Sequence, residues 1–326
     1  MPSLQQALAP HFQGSADHDK LDESAFSTGA PEEDSRPLSR LQSLKSGAIC
    51  RVSSAVTPII SRMAKDYLGG ETVSDALCVA RQLATENVSN TLGFWDTSDY
   101  TQRDVAGIYL SAVRSLSDAG LNSYVSIKPP ALRFDNAVAA ELAGAAKDSG
   151  VRLHCDSHGP QVADASNAML LAMRECIGAD HLGTTLPGRW ARSLTDADWA
   201  VEQGFAVRVV KGQWPDPDQP RADMDAGYLA VIDRLAGRAR HVGVATHNLA
   251  LAQKAIERLH AAGTPCELEQ ILGLHSVQSV RWAKENGIGV RIYIPFGKGY
   301  IPNAIGVLKR NPKFALVILK RLVRPA

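Results

Sequence analysis

The chain has 326 residues, 45% hydrophobic and 21% charged, with a formal net charge of +1. That balance suits a globular protein able to bury a large core, and it excludes a global electrostatic bias toward nucleic acid or an anionic membrane. Five scattered cysteines without CxxC spacing (Cys50, Cys78, Cys155, Cys176, Cys266) argue for a reducing, cytoplasmic setting without disulfides or structural zinc.

No apolar run approaches the ~20 residues of a membrane span, and the start of the chain lacks a secretory pattern. Residues 1–36 are rich in Ser, Asp, Gly, Pro and Gln, which predicts a disordered tail. Residues 37–86 carry helical spacing, interrupted by Pro58 and by Gly69-Gly70, with Thr72 placed to cap a further helix. From residue 87 onward a regular alternation sets in. Strand-like runs fall at 89–92, 124–127, 151–155, 182–186, 207–210, 242–245, 267–271 and 290–294. Helix-like segments separate them, several ending at glycines 120, 150, 204, 263 and 287, with Asn136 and Thr195 as expected N-caps. Cys155 and Cys176 read as small core residues.

Eight strand–helix units over roughly 225 residues predict an α/β fold, a (β/α)8 TIM-like barrel over 87–326 with an N-terminal helical lead-in and a C-terminal helix. No GxGxxG opens the first unit, so a dinucleotide-binding open sheet has no support. In a barrel the strand ends gather on one rim, where active sites sit. Here those ends carry Lys128, Asp156 with His158, Lys211, His247, Glu269 and Tyr293.

The most informative stretch is Val207-Arg208-Val209-Val210-Lys211-Gly212-Gln213-Trp214. It is a buried-strand pattern with two cations in it. Arg and Lys are rarely buried unpaired, so the pair implies an anionic ligand or buried carboxylates. Alternation puts Arg208 and Lys211 on opposite faces.

Three segments, Val209-Val210-Lys211-Gly212, Ala245-Thr246-His247-Asn248 and Arg291-Ile292-Tyr293-Ile294-Pro295-Phe296-Gly297, fall in order and together resemble the hallmark motifs of the proline dehydrogenase family. Ser126-Ile127-Lys128, the run ending at Asp156, and the Glu267–Gly273 spacing resemble further segments of it, and the likeness covers about residues 60–320. The resemblance implies an FAD-dependent oxidoreductase that takes a hydride from a carbon next to nitrogen, leaving an imine. It implies that Arg208 lies beside the flavin, where a permanent cation favours the reduced cofactor. It further implies cofactor contacts from Lys211, Gly212, Gln213, Thr246, His247 and Asn248, with Lys211 suited to the pyrophosphate. Asp156 would stand by the flavin ring, Lys128 near the substrate, and Tyr293 in the wall of the substrate pocket.

The departures bear on the substrate. The family's carboxylate-binding arginine pair falls on Gly306 and Val307, although a register shifted by three residues would align Lys309-Arg310 instead. The family's glutamate in the first strand motif is Phe94, and its glutamine after the fourth strand is Pro187. Glycine and valine cannot replace a bidentate arginine clamp. With Phe94, Trp190, Ile305 and Val307 the pocket becomes more apolar. The expected substrate is therefore a small-molecule amine without a free α-carboxylate, and not free L-proline, with quinone or oxygen as the electron acceptor.

Other readings remain open on the residues alone. His154, Asp156, His158 and His247 could hold a catalytic metal. Lys128 or Lys211 could trap a carbonyl as a Schiff base. A non-catalytic, flavin-free descendant would also show these losses. The basic amphipathic segment 314–323 packs on the barrel or touches a membrane peripherally.

Overall fold

The computed structural model describes residues 68–300. The expected tail, the helices before residue 68, and the last helix with Gly306 and Val307 lie outside the described residues. Thr72 opens helix α1 (Val73–Thr85) with a capping box, in which its side chain accepts from the Asp75 N–H and Asp75 reaches back to the Thr72 backbone. Ala76, Ala80 and Leu83 form the buried face of α1.

Beyond α1 the order is β1 (Ser89–Phe94), α2 (Gln102–Asp118), β2 (Ser123–Ile127), α3 (Asn136–Asp148), β3 (Arg152–Cys155), α4 (Ala163–Ile177) and β4 (Leu182–Pro187). Then follow α5 (Ser193–Gln203), β5 (Ala206–Val210), α6 (Met224–Leu235), β6 (Val242–Ala245), α7 (Leu249–Ala261), β7 (Cys266–Ile271), α8 (Val277–Glu285) and β8 (Gly289–Phe296). Each strand pairs in parallel with the next, and β8 closes on β1. The expected (β/α)8 barrel is therefore the observed fold. The five helix-ending glycines all take positive φ, from 60° to 76°.

Three local expectations are corrected. Asp135, not Asn136, caps α3, because its carboxylate accepts from the N–H groups of Ala137 and Val138. Helix α5 begins at Ser193, before Thr195; the Ser193 hydroxyl donates to the Pro187 carbonyl at 2.6 Å, tying the helix start to the end of β4. Cys155 is buried, but Cys176 is exposed on the last turn of α4.

The outward strand residues, such as Leu92, Val125, Leu153, Val207, Val209, Val244, Leu268 and Ile292, join the apolar layer under the helices. The interior is different. The strand register aligns Thr185 with Arg208 and Gly243, and Glu269 with Arg291. Barrel interiors are ordinarily filled by branched apolar side chains; this one holds two stacked polar layers.

In the layer nearer the strand starts, Arg291 Nε lies 2.7 Å from Glu267 Oε1 and its Nη1 donates to the Asn90 carbonyl at 2.7 Å. Its guanidinium sits 3.7 Å from the centre of the Tyr124 ring, and the Tyr124 hydroxyl donates to Glu267 at 3.1 Å. Burial alone would raise the Glu267 carboxyl, but Arg291 overrides it and holds it below its ordinary value. His154 stacks on Tyr124 with its ring within 8° of parallel. A side chain at Gly183 would collide with the His154 ring, so only glycine lets the imidazole lie flat there.

Candidate active site

The second polar layer forms the floor of a solvent-open cleft at the C-terminal rim. It is lined by Asp156, Thr185, Arg208, Lys211, His247 and Glu269, among others. Arg208, on β5, reaches across the barrel. Its Nε donates to Glu269 Oε2 at 2.6 Å and its Nη1 to Asp156 Oδ1 at 3.0 Å. Asp156 also accepts from the Ser126 hydroxyl at 2.5 Å and, through Oδ2, from the Tyr293 hydroxyl at 3.0 Å. Burial alone would lower the pKa of the guanidinium, but Glu269 and then Asp156 more than offset it and leave it above the ordinary value.

Two polar atoms of this floor stand buried without a hydrogen-bond partner, Arg208 Nη2 and Thr185 Oγ1. They belong to residues paired in register on β5 and β4. Buried donors normally have partners, so these two mark a place for acceptor atoms of a bound group.

Tyr293 can cross the barrel mouth because Gly93 faces it, and a Cβ at Gly93 would overlap the Tyr293 phenol. Gly93→Ala is expected to drive Tyr293 off Asp156 and to destabilise the fold by about 1–3 kcal/mol. Urea denaturation checks this, and an unchanged midpoint would show that the ring moves freely.

Lys211 lines the rim and pairs with Asp225, in the first turn of α6, at 2.9 Å. Gly212 has φ of 98°, and a Cβ there would lie 2.6 Å from the Pro187 ring carbon Cβ. The loop after β4 runs alongside: the Arg189 N–H donates to the Lys211 carbonyl at 3.1 Å, and Arg189 Nη1 to the Gln213 carbonyl at 2.9 Å. Trp190 is likewise tied down, its Nε1 donating to the Trp214 carbonyl at 2.8 Å. Pro187 therefore occupies a packed corner against Gly212.

Thr246 and His247 line the cleft. Asn248 serves as the N-cap of α7, its side chain accepting from the Leu251 N–H at 3.0 Å. Gln213 is not among the lining residues; its Oε1 is buried without a hydrogen-bond partner. Phe94 also lies away from the cleft, packed edge-on against Tyr100 and Tyr109 behind β1. As the last residue of β1, next to inward-facing Gly93, it points outward by alternation. Lys128 is buried beside the cleft rather than in its lining, with Nζ donating to the Phe94 carbonyl and lying 5.1 Å from the Trp95 ring centre. Burial lowers its pKa, and Asp156 and Asp96 oppose this only in part.

The residues of the metal reading do not converge. His154 lies in the deeper layer on Tyr124, while His158 sits toward the rim, 6.0 Å from the Trp214 ring. Among the described residues no group of three or more His, Cys, Asp or Glu is placed to hold a metal. No helix among them is long and apolar enough to cross a membrane.

Glu269 received no role from the sequence beyond its place at a strand end. Its signal was the i, i+2 pair Glu267 and Glu269 within one strand, which alternation turns to one face. Ser126 and Thr185 carried no comparable signal.

A closed parallel barrel with a cleft over its C-terminal rim, floored by a buried cation between carboxylates, is the architecture in which barrel enzymes carry their active sites. The family model described as proline dehydrogenase matches residues 62–300. The chain is 24% identical over 276 residues to a proline dehydrogenase of Deinococcus radiodurans, covering 78% of this chain and 89% of that protein. It is 23% identical over 286 residues to proline dehydrogenase 1 of Bacillus subtilis, covering 80% and 91%. Among solved structures, proline utilization A of Bdellovibrio bacteriovorus, inactivated by N-propargylglycine, shares the fold with a TM-score of 0.64 at 18% identity. That match covers 79% of this chain and 33% of the larger protein, so this chain spans about a third of it. The chain belongs to the proline dehydrogenase family, and with it to the oxidoreductases that act on CH–NH bonds.

Proposed function

We propose that this chain is an FAD-dependent oxidoreductase that oxidises the C–N bond of an amine to an imine, with a substrate other than free L-proline. The observation that carries the reading is Arg208: a buried guanidinium aligned by two carboxylates, with Nη2 unpartnered in the cleft floor beside the unpartnered Thr185 hydroxyl. A flavin offers ring acceptors of the kind these donors lack. Lys211, Gly212, Thr246 and His247 are the rim residues that would hold its phosphates and adenosine side, and the N-terminal end of α7 favours negative charge there. Gln213 and Asn248 contribute through the loop and the helix cap.

The bound flavin supplies the hydride acceptor, which the side chains do not. Hydride departure needs the substrate nitrogen's lone pair, so an ammonium must first lose its proton. Lys128, buried beside the cleft with its pKa lowered, would accept it once its Nζ turns from the Phe94 carbonyl toward the substrate. Asp156, accepting from Arg208, Ser126 and Tyr293, orients the floor and acts as a positioning residue. Tyr293 walls the cleft beside Arg208, 5.6 Å from its guanidinium.

The substrate reading rests on charge. Among the described residues, the Lys and Arg side chains lining the cleft are Arg208 and Lys211, and both are assigned to the flavin. Neither is left to hold a substrate carboxylate, which matches the loss of the arginine pair at Gly306 and Val307. The test is anaerobic: purified protein carries a flavin spectrum, bleached by an amine lacking an α-carboxylate. Turnover of L-proline at rates comparable to a carboxylate-clamping relative assayed alongside would sink the substrate claim. Protein that neither retains nor takes up flavin would sink the cofactor claim.

A further inference from the structure

Three charged groups bond to one another directly beneath the cleft. Arg208 is positive, and it faces two carboxylates, Asp156 at 3.0 Å and Glu269 at 2.6 Å. Asp156 is also committed to Ser126 and Tyr293, so it is part of the frame of the floor. Glu269 sits differently. It comes from β7, and its second oxygen, Oε1, lies over the inward face of Gly243 on β6, where a Cβ would collide with it. The space for this carboxylate therefore exists only because β6 carries glycine at that position. Residue and space are matched, so that Arg208 faces two carboxylates, of which Asp156 also faces the buried Lys128 while Glu269 answers chiefly to Arg208. A flavin gains negative charge on reduction, and charge near the ring tunes its electronics.

We propose that Glu269 is a positioning residue that sets the charge of this site: by offsetting Arg208 it lowers the reduction potential of the bound flavin. This rests on the flavin reading above. Two electrons and one proton leave the substrate carbon as hydride, the nitrogen lone pair closes the C=N bond, and the electrons pass on to a quinone or dioxygen. A lower potential makes the first transfer less favourable and the second more so. It suits a substrate that is itself easily oxidised.

The experiment is a spectroelectrochemical titration at fixed pH of flavin-loaded wild type, Glu269→Gln, Glu269→Asp and Gly243→Ala, with thermal melts alongside. Glu269→Gln is expected to raise the reduced-to-oxidised ratio at a given potential at least tenfold, ~30 mV for a two-electron couple. Glu269→Asp keeps the charge and is expected to stay within threefold of wild type. Gly243→Ala pushes the carboxylate off Arg208 and is expected to fall between the two. A Glu269→Gln potential within threefold of wild type, with flavin bound, overturns this inference and leaves the cofactor reading intact. An equal shift for Asp and Gln also overturns it, since packing rather than charge would then be responsible. Failure of all four proteins to bind flavin overturns both readings together.

Discussion

Arg208→Met is expected to destabilise the protein by about 3–5 kcal/mol and to abolish flavin retention. Deleting one partner of a buried ion cluster leaves the others charged, desolvated and unanswered. Here two carboxylates, Asp156 and Glu269, would face the same vacated volume, each bonded to Arg208 at 3.0 Å or less in the native protein. Methionine fills the space, so the loss reports charge rather than a cavity. Arg208→Lys is expected to do much of the same damage, because an ammonium cannot span both carboxylates as a planar fork does. Urea denaturation measures the first effect, and visible absorbance after gel filtration the second. A loss below about 1 kcal/mol would mean that the carboxylates take up protons or water at little cost, and the electrostatic account of the floor would fall.

Acidification is expected to have the second large effect. Burial holds His158 and His275 at a pKa of about 4, and burial, followed by Arg208, holds His154 well below its ordinary range. An unfolded histidine titrates near 6.5, so between about pH 6.5 and 4 the unfolded chain binds more protons than the native one. Stability from these groups is therefore present above about pH 6.5 and is lost as pH falls toward 4. For each of His158 and His275 the loss at pH 5 is about 2 kcal/mol. Glu267, depressed by Arg291, adds a further loss in the same direction below its unfolded value near 4.5. Urea midpoints at pH 7.5 and pH 5 test this. His275→Gln should lessen the drop, and equal midpoints at the two pH values would show that these imidazoles reach water.

The barrel was legible because its signal is local and repeated. Most strands are short runs rich in apolar residues, and several helices end at a glycine with positive φ, such as Gly150 or Gly263. Caps were less legible, since several neighbouring polar residues can serve: Asp135 won over Asn136 by accepting two N–H groups. Within the site, Lys211 and His247 were found from their strand ends, Arg208 from its place in an apolar strand and Thr246 from the family likeness, and all four line the cleft. Phe94 was misplaced because a single-residue difference from the family pattern says what was lost but not where the new side chain turns. Alternation after Gly93 sends it outward to Tyr109, away from the cleft.

The sequence alone determined the alternation of strands and helices, the family likeness, and the placing of two cations at the end of β5. These depend on residues near each other along the chain, whose spacing carries the information. The pairing of those cations was decided by the tertiary structure alone. Glu269 lies 61 residues from Arg208 and Asp156 lies 52 residues from it, and only closure of the barrel brings them into one layer. The room for Glu269 over Gly243, and for Tyr293 over Gly93, is likewise a property of inward faces meeting across the barrel. No periodicity along a single strand can encode such cross-barrel contacts, because each one joins residues whose separation is set by the fold.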